Sequence, residues 1–291
     1  NYWAPVDYYV GGDHAVAHLL YVRFWTHVFK DLGLTNFAEP VKKLLYHGYI
    51  NAEDGSKMSK SKGNTIDPLE VIDQGYGADS LRTYEMFIAP YEIDASWDPR
   101  GIAGVYRFLN RVWVLIQEFI ESEKSEQNLS NFPEIQKSQH KAIKKITEDF
   151  HRESLNTAVA ALMEFVNELY KLKLEGFSNN WRFVLEDLLK MLTPFAPHIS
   201  SELWTQLGNK DFIEKSGWPK WNEEFLKLDE IQFIVQVNGK LRGKIKVAVD
   251  AEKDEILALA KNEDNVSKFL QDKEIVKEIF VPNKLINFVI K

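Results

Sequence analysis

A short strand pattern that ends on two glycines is the feature that most restricts how this chain can fold. Tyr8-Tyr9-Val10 combines aromatic and β-branched residues, and Gly11-Gly12 follows directly. Apolar residues then recur at helical spacing, at Val16, Leu19, Leu20, Phe24 and Val28. This order of strand, glycine turn and helix predicts part of a parallel α/β sheet, in which such a turn lies at the carboxyl end of the strands, where ligands bind. The bare glycine backbone and the helix N-terminus suit a nucleotide.

A run of cations and hydroxyls, Lys57-Met58-Ser59-Lys60-Ser61-Lys62-Gly63-Asn64, carries groups suited to closing over a triphosphate. Ammonium groups stabilise a pyrophosphate leaving group because its negative charge grows in the transition state. A solvated surface loop is the alternative interpretation. However, Asp67-Pro68-Leu69-Glu70 follows with an N-cap, a proline at the first helical position and a carboxylate at the third. The sequence therefore predicts an anchored loop.

The stretch from Lys57 through Gly75-Tyr76-Gly77-Ala78-Asp79 to Leu81-Arg82 resembles the second signature of class I aminoacyl-tRNA synthetases. Within it we predict a helix from about Asp79 to about Ala89. The beginning of the chain is similar to the leucyl-tRNA synthetase form of this family at Pro5-Val6-Asp7, Gly11-Gly12, His14, His18-Leu19-Leu20-Tyr21 and Arg23-Phe24.

The resemblance implies roles for individual residues. Lys57 and Lys60 would be catalytic, assisting attack of the amino-acid carboxylate on ATP. Contacts with ATP are implied for Gly11, Gly12, Asp13, Met58, Ser59 and Ser61. An amino-acid pocket is implied for His14, His18 and Tyr21.

His14 and His18 stand four residues apart, so both lie on one helix face, about 6 Å from each other. A metal site, a pair of core histidines and a pocket lining are all compatible with that spacing, and the resemblance favours the pocket. Because the chain has no cysteine and no third ligand at a recognisable spacing, we predict neither a zinc site nor another metal site. The family usually has a glutamate directly before the first histidine, whereas here Asp13 stands alone, which leaves the ribose contact open.

The first class I signature, His-x-Gly-His, does not occur among the seven histidines. The resemblance implies that an N-terminal partner half carries that signature and the editing domain. The chain would then be an excised piece or one subunit of a synthetase encoded as two chains. A leucine-specific insert of many relatives is also missing, since only Tyr46 to Ser56 separates a predicted helix from the lysine loop.

Composition limits the remaining possibilities. The 291 residues, 45% of them hydrophobic, predict two or three domains with a sizeable core. The absence of cysteine excludes disulfides, and no apolar run approaches the roughly 18 residues of a membrane span. We therefore expect a cytoplasmic protein without a membrane partner. The net charge of −7 disfavours a non-specific nucleic-acid binder.

Residues 99–222 show apolar stripes typical of packed helices. The predicted helices are about Gly104–Glu121, Gln139–Phe150, Leu155–Leu172 and Trp181–Leu192, followed by one that has Pro197 in its first turn. A loop is predicted from Glu121 through Pro133. The phrase from Pro194 to Trp204 resembles the anticodon-binding helical domain of the leucine, isoleucine, valine and methionine synthetases, and its His198 is expected to be structural.

The last part of the chain predicts a compact α+β unit. The expected elements are a strand over Ile231–Val237, an Asn238-Gly239 turn, a strand over Leu241–Val249, helices near Asp254–Lys261 and Val266–Gln271, and strands near Ile275–Val281 and Leu285–Ile290. In the second strand apolar and basic residues alternate, which gives a cationic face. That face is either simply solvated or a contact for the RNA backbone. The segment resembles the C-terminal domain of bacterial-type leucyl-tRNA synthetases, which implies tRNA contacts from Lys240, Arg242 and Lys244.

The expected architecture is multidomain. Residues 1–98 would form the C-terminal half of a class I catalytic domain of the Rossmann α/β type, with the lysine loop and stem-contact helices, 99–222 an all-α bundle of the anticodon-binding type, and 229–291 a small α+β tRNA-binding domain. The resemblance implies activation of leucine by ATP, with Mg²⁺ accompanying the ATP, and transfer to tRNA(Leu). A synthetase for another branched-chain amino acid and a noncatalytic tRNA-binding protein derived from a synthetase remain alternatives.

Overall fold

The computed structural model describes residues 3–12, 15–127, 129–226, 230–248, 251–271, 273, 275–281 and 284–291. The chain divides into two compact units, Asn1–Phe225 and Leu226–Lys291. None of the helices within the described ranges is long and apolar enough to cross a membrane.

The first unit begins with two parallel strands. Strand β1 (Val6–Val10) pairs with β2 (Val41–Leu45), with Tyr8 opposite Lys43. Between them, a π-helical segment (Ala15–Val22) runs directly into helix α1 (Arg23–Asp31). The predicted strand and helix are thus confirmed, but β2 contradicts the helix predicted before Tyr46. Residues 41–45 extend because they pair with β1.

The lysine loop is followed by the capped helix that the sequence predicts. Strand β3 (Ile50–Asn51) leads into the loop, and α2 (Pro68–Val71) begins after Asp67, whose Oδ1 accepts a hydrogen bond from the Leu69 N–H at 2.8 Å. A π-helical segment (Ile72–Tyr76) then joins α3 (Gly77–Phe87). Strand β4 (Ala95–Ser96) returns to pair in parallel with β3.

A helical bundle forms the rest of this unit. Its elements in order are α4 (Pro99–Glu121), β5 (Lys124–Ser125), α5 (Phe132–His151), α6 (Leu155–Leu172), β6 (Phe177–Ser178), α7 (Trp181–Leu192) and α8 (Pro197–Gln206). Helices α6 and α7 have their predicted bounds. Helix α5 starts at Phe132 instead of Gln139. The predicted loop therefore ends before Phe132, and the prediction that it extends through Pro133 is wrong. Pro133 lies in the first turn of α5, where the missing N–H costs no hydrogen bond.

One continuous core joins α3 to the bundle. Side chains with no more than 2% exposure include Trp181, Phe195, Phe165 and Leu162. Tyr84 of α3 belongs to the same core and donates a hydrogen bond to the Asp98 carbonyl at 2.7 Å. Gly101 permits this contact, because a Cβ there would lie 2.4 Å from the Tyr84 ring. Among the described residues, buried apolar side chains begin only at Ala52.

The second unit is a four-stranded sheet with two helices. Its elements are β7 (Glu230–Val237), β8 (Lys240–Ala248), α9 (Lys253–Asn262), α10 (Asp264–Leu270), β9 (Ile275–Val281) and β10 (Leu285–Ile290). The strand order is β8-β7-β10-β9, with β7 and β10 parallel. Asn238 and Gly239 both have positive φ, as the predicted hairpin requires. The predicted end of the second strand, Val249, lies outside the described residues.

Candidate functional site

The glycine turn lies at the carboxyl end of the two parallel strands. The Gly11 N–H donates to the carbonyl of Leu45, the last residue of β2, at 3.0 Å. A Cβ on Gly12 would lie 3.0 Å from the Tyr49 hydroxyl and 3.2 Å from the His47 carbonyl. The turn is therefore closely covered by the segment that follows β2, and only a glycine fits at position 12 without displacing a neighbour.

Tyr49 connects this turn to the lysine loop. Its ring centre lies 4.4 Å from the Lys57 ammonium nitrogen, a cation–π distance. The Tyr49 backbone is fixed by the β3–β4 region, since its N–H donates to Asp94 Oδ1 at 2.7 Å and its carbonyl accepts from the Ala95 N–H at 2.9 Å. The structure thus brings Lys57 and Gly12, two sequence-predicted site residues, to the same aromatic ring.

Asn64 closes the lysine loop on itself. Its side-chain oxygen accepts from the Ser59 N–H at 2.9 Å, and its amide nitrogen donates to Ser56 Oγ at 2.9 Å and to the Lys57 carbonyl at 3.3 Å. Gly63 turns the chain with a φ of 65°. Inside this clamp the predicted Met58 is partly buried against the main core.

The tip of the loop presents its cations to solvent. Residues Lys60–Lys62 form one 3₁₀ turn, and all three side chains are exposed. The Ser59 hydroxyl accepts from the Lys62 N–H at 3.3 Å and lies 3.2 Å from the Ser61 hydroxyl. Ser59 and Ser61 thus shape the turn, while Lys60 is available to an incoming anion.

An anionic group lies at the base of the loop. Asp54 Oδ1 accepts a hydrogen bond from the Ser56 N–H at 2.9 Å, and this bond lowers the pKa of the exposed Asp54 carboxyl below its ordinary value. The positive charge of Lys62 lowers the same pKa further. Asp54 is therefore ionised at neutral pH, and its negative charge offsets part of the positive charge of Lys62.

The predicted amino-acid pocket is only partly assembled. The His18 ring forms a hydrogen bond with the Tyr9 hydroxyl, and the two ring centres are 3.8 Å apart. His18 and Tyr9 line a cavity of about 200 Å³ with Arg23, Glu39 and neighbouring residues. Tyr21 is 62% exposed and is not among the described residues that line this cavity. Asp13 and His14 lie outside the described residues.

Arg23 and Glu39 form an exposed ion pair at the rim of that cavity. Arg23 Nη2 lies 2.7 Å from Glu39 Oε1, and a second guanidinium nitrogen, Nε, donates to Oε2 at 2.9 Å. The hydrogen bond from Arg23 lowers the pKa of the Glu39 carboxyl. Within the described ranges, no group of three or more His, Cys, Asp or Glu side chains is arranged to hold a metal ion.

The cationic strand of the second unit differs from its predicted pattern. In the β7–β8 register Val235 pairs with Gly243 and Gln236 with Leu241, so Arg242 is the extra residue of a β-bulge. Its guanidinium lies 3.8 Å from the centre of the Phe269 ring. Lys240 and Lys244 are exposed, as predicted, but so is Leu241. The strict alternation of apolar and basic residues is therefore wrong at the bulge.

Sequence interpretation missed Tyr49, Asn64 and Phe269 as site residues. Asn64 was visible as the polar residue after Gly63, in a position from which its amide can reach back across a tight turn. Tyr49 and Phe269 gave no such local signal, because each acts on a residue that the fold brings near it.

Comparison with known proteins gives the family. Residues 12–98 match the family of class I tRNA synthetases for isoleucine, leucine, methionine and valine, and residues 134–257 match the anticodon-binding domain of tRNA ligases. A leucine–tRNA ligase from Herpetosiphon aurantiacus is 44% identical over 292 aligned residues, which cover 99% of this chain and 35% of that protein.

Solved structures agree with this assignment. A leucyl-tRNA synthetase from Agrobacterium radiobacter, in a ternary complex with tRNA and LeuAMS, shares 34% identity with a TM-score of 0.74 over 99% of this chain and 38% of its own. A methionyl-tRNA synthetase from Mycobacterium tuberculosis bound to methionyl-adenylate shares the fold, with 16% identity and a TM-score of 0.54 over 72% of this chain and 45% of its own. The chain spans little more than a third of the length of its leucine-specific relatives. The continuous match and the two family segments in order show that the chain belongs to the leucyl-tRNA synthetase family of class I aminoacyl-tRNA synthetases, corresponding to its C-terminal portion.

Proposed function

We propose that this chain supplies the phosphate-handling part of a leucine–tRNA ligase active site and that an N-terminal partner half supplies the rest. The observation that carries the proposal is the common contact of Gly12 and Lys57 with the Tyr49 ring. A nucleotide held by the glycine turn would direct its phosphates toward the lysine loop.

In the proposed reaction, the leucine carboxylate attacks the α-phosphorus of ATP and the bond to the β-phosphate oxygen breaks, which gives leucyl-adenylate and pyrophosphate. A ribose hydroxyl of the terminal nucleotide of tRNA(Leu) then attacks the acyl carbon, and AMP leaves. Lys57 and Lys60 stabilise the negative charge that moves onto pyrophosphate. The exposed ammonium of Lys60 can reach phosphates only if the loop closes over them.

The glycine turn and the loop backbone would hold ATP. We assign adenosine contacts to Gly11, Gly12 and Asp13, and loop contacts to Met58, Ser59 and Ser61. Mg²⁺ would arrive bound to the phosphates of ATP, and we assign it no protein ligand.

Leucine would bind beside the π-helical segment. His14, His18 and Tyr21 are the residues that we assign to this pocket. The cavity at His18 supports a small apolar guest, since it measures about 200 Å³ and Leu19, Val22 and Leu44 also line it. The exposed position of Tyr21 fits a role in the pocket only once a partner covers this face.

Uncovered apolar surface supports the need for a partner half. On the π-helical segment and α1, side chains with more than half of their surface exposed are Val16, Leu20, Tyr21, Phe24 and Trp25. Apolar area of this extent, next to a two-stranded sheet, is typical of a surface that another element covers. In our proposal that element belongs to the N-terminal half, which would also carry the first class I signature and the editing domain.

The remaining parts would bind tRNA(Leu). We retain the boundaries 1–98, 99–222 and 229–291 as functional regions for catalysis, helical tRNA contact and the C-terminal tRNA contact. Lys240 and Lys244 are exposed cations suited to phosphates, whereas Arg242 presents its guanidinium from the Phe269 ring.

A reconstitution experiment tests the proposal. The chain is mixed with a separately purified N-terminal half of a leucine–tRNA ligase, and leucine-dependent ATP–pyrophosphate exchange and tRNA charging are measured. We expect activity in the mixture and none with either part alone. Exchange driven by isoleucine or valine instead of leucine would contradict the assigned substrate. Retained tRNA binding without exchange would instead favour a noncatalytic tRNA-binding protein.

A further inference from the structure

The contact between Lys57 and Tyr49 has a geometry that can fix the position of the Lys57 ammonium. The ring is placed by the backbone of Tyr49, which is hydrogen-bonded to the Asp94 side chain and to the Ala95 N–H. Its hydroxyl end lies at Gly12, and the Lys57 ammonium lies over its face at 4.4 Å from the ring centre. The backbone of Tyr49 is therefore anchored by contacts that do not involve Lys57.

An aromatic face holds a cation without occupying all of its hydrogen-bond donors. The ring attracts the ammonium through its quadrupole, and the ammonium keeps its positive charge. An ammonium over a ring also keeps N–H donors pointing away from that ring. Lys57 can thus remain on Tyr49 and still donate to phosphate oxygens.

We propose that Tyr49 is a positioning residue that holds the Lys57 ammonium beside the glycine turn before ATP arrives and through pyrophosphate release. This inference rests on the proposed function for its catalytic consequence, but the holding contact itself is a property of this chain alone. A long lysine side chain that is already ordered at the site loses less conformational freedom when the triphosphate binds. The stabilisation by an ordered Lys57 is greatest in the transition state, where the negative charge on the leaving group is largest.

The contact is tested first in the isolated chain by NMR with ¹³C,¹⁵N-labelled lysine. The Lys57 signals are assigned by their loss in Lys57→Arg. We expect the Lys57 Hε resonances to lie upfield of those of Lys62, through the ring current of Tyr49, in the wild type and in Tyr49→Phe. In Tyr49→Leu they should return to the Lys62 position, and in the control Tyr46→Leu they should not move. A wild-type Lys57 signal that coincides with Lys62, or that ignores Tyr49→Leu, overturns the proposal.

The consequence is tested in the reconstituted enzyme by leucine-dependent pyrophosphate exchange. We expect Tyr49→Leu to lower kcat by about two- to fivefold, the ratio that corresponds to an exposed cation–π contact. The KM for leucine should stay unchanged, and Tyr49→Phe should restore kcat. Equal kcat values for the wild type and Tyr49→Leu overturn the positioning role. If wild-type mixtures give no exchange at all, the proposed function fails, and the NMR result alone then decides whether Tyr49 holds Lys57.

Discussion

Asp79 Oδ2 accepts a hydrogen bond from the backbone N–H of Ile199 at 2.7 Å, although the two residues are 120 positions apart. The other carboxylate oxygen lies 2.7 Å from Nδ1 of His198. Helix α8 begins after Ala196, which has no side-chain oxygen to cap it. Asp79, near the start of α3, therefore caps α8 from outside and connects the helix that follows the lysine loop to the bundle.

We expect Asp79→Ala to lower the free energy of unfolding by about 1–2 kcal/mol, the usual cost of removing an N-cap. Asp79→Asn should cost less, because its amide oxygen can still accept the hydrogen bond from Ile199. Some cost should remain, because the negative charge at the helix N-terminus is lost. Urea unfolding followed by circular dichroism measures both. The exposed Asp73, replaced by alanine, serves as the control. A loss of equal size in Asp73→Ala would show that Asp79 has no special capping role.

Asp149 predicts how stability depends on pH. Its side chain is 2% exposed, at the end of α5, and it pairs with Lys145 and with Arg152 at 3.0 Å. Burial raises the pKa of this carboxyl. Hydrogen bonds from Lys145, Thr157 and Arg152 lower it by more than burial raises it, so the pKa lies below the ordinary value of 3.8. In the unfolded chain the carboxyl regains its ordinary pKa and binds a proton at a higher pH than in the folded chain.

The stabilising contribution of Asp149 is therefore complete above pH 3.8 and is lost as the pH falls below that value through the folded pKa. We expect Asp149→Asn to destabilise the chain at pH 7 by about 1–3 kcal/mol, the range for a buried group that loses charged hydrogen bonds. The difference from the wild type should shrink in acid. Thermal unfolding between pH 7 and pH 3 measures it, and a constant difference across that range would contradict the prediction.

How far sequence predicts the fold differs between elements. The bounds of α6 and α7 are predictable because each has an apolar stripe between polar breaks, as the fully buried Leu162 and Leu188 illustrate. Helix α4 starts at Pro99, not Gly104, after Asp98 accepts from the Arg100 N–H at 2.9 Å. Both α2 and α4 begin with proline after a capping aspartate. In α4, however, Gly101 makes an early start look unfavourable, and the reason for a glycine there is contact with Tyr84, which is distant in sequence.

The candidate site is predictable where chemistry is local and not where it depends on packing. The glycine turn and the lysine loop are each a continuous run of residues. Their members Gly11, Gly12, Lys57 and Lys60 are therefore recognisable from the sequence. The ring that joins them comes from a segment between β2 and β3, and no periodic pattern marks it. The bulge at Arg242 is equally hidden, because the register of two strands is fixed by their pairing rather than by the pattern of either strand.

Asn64 predicts that loop shape and loop charge can be separated by mutation. Asn64→Ala removes three hydrogen bonds within the loop, to Ser56, Lys57 and Ser59, while all the lysines remain. We expect kcat for pyrophosphate exchange in the reconstituted enzyme to fall by about tenfold, equivalent to about 1.4 kcal/mol. The thermal midpoint should change little, because the loop is largely exposed. Asn64→Asp keeps the acceptor for Ser59 and should retain more activity than Asn64→Ala. Unchanged exchange in Asn64→Ala would show that the clamp is dispensable.

The second unit predicts two different effects of removing its cations. Lys240→Ala with Lys244→Ala removes exposed charge, so tRNA affinity should fall and the salt dependence of log K should weaken by about 0.7–0.9 for each phosphate that is no longer neutralised. Arg242→Lys keeps the charge but loses the planar stacking on Phe269, and should alter the salt slope less. Filter binding across a salt series measures the slopes. Lys261→Ala, which removes a cation paired with Glu278 at 2.7 Å, is the control, and an equal effect there would indicate general electrostatics instead of a defined contact.

Gly12 provides the sharpest test of how the glycine turn and Tyr49 fit together. Its φ is not in the positive region, so alanine adds no backbone strain, but the new Cβ would lie 3.0 Å from the Tyr49 hydroxyl. We expect Gly12→Ala to lower kcat/KM for ATP in the reconstituted exchange assay by about tenfold, or about 1.4 kcal/mol, because it displaces the Tyr49 ring. Adding Tyr49→Phe removes the hydroxyl and should recover part of that loss.

Recovery should be incomplete, because the Tyr49 ring carbon at 3.1 Å and the His47 carbonyl at 3.2 Å remain. Gly104→Ala, at a helical site with open space around the new Cβ, should be active and slightly more stable. If the double variant is no better than Gly12→Ala, contact with the Tyr49 hydroxyl is not what requires glycine at this position.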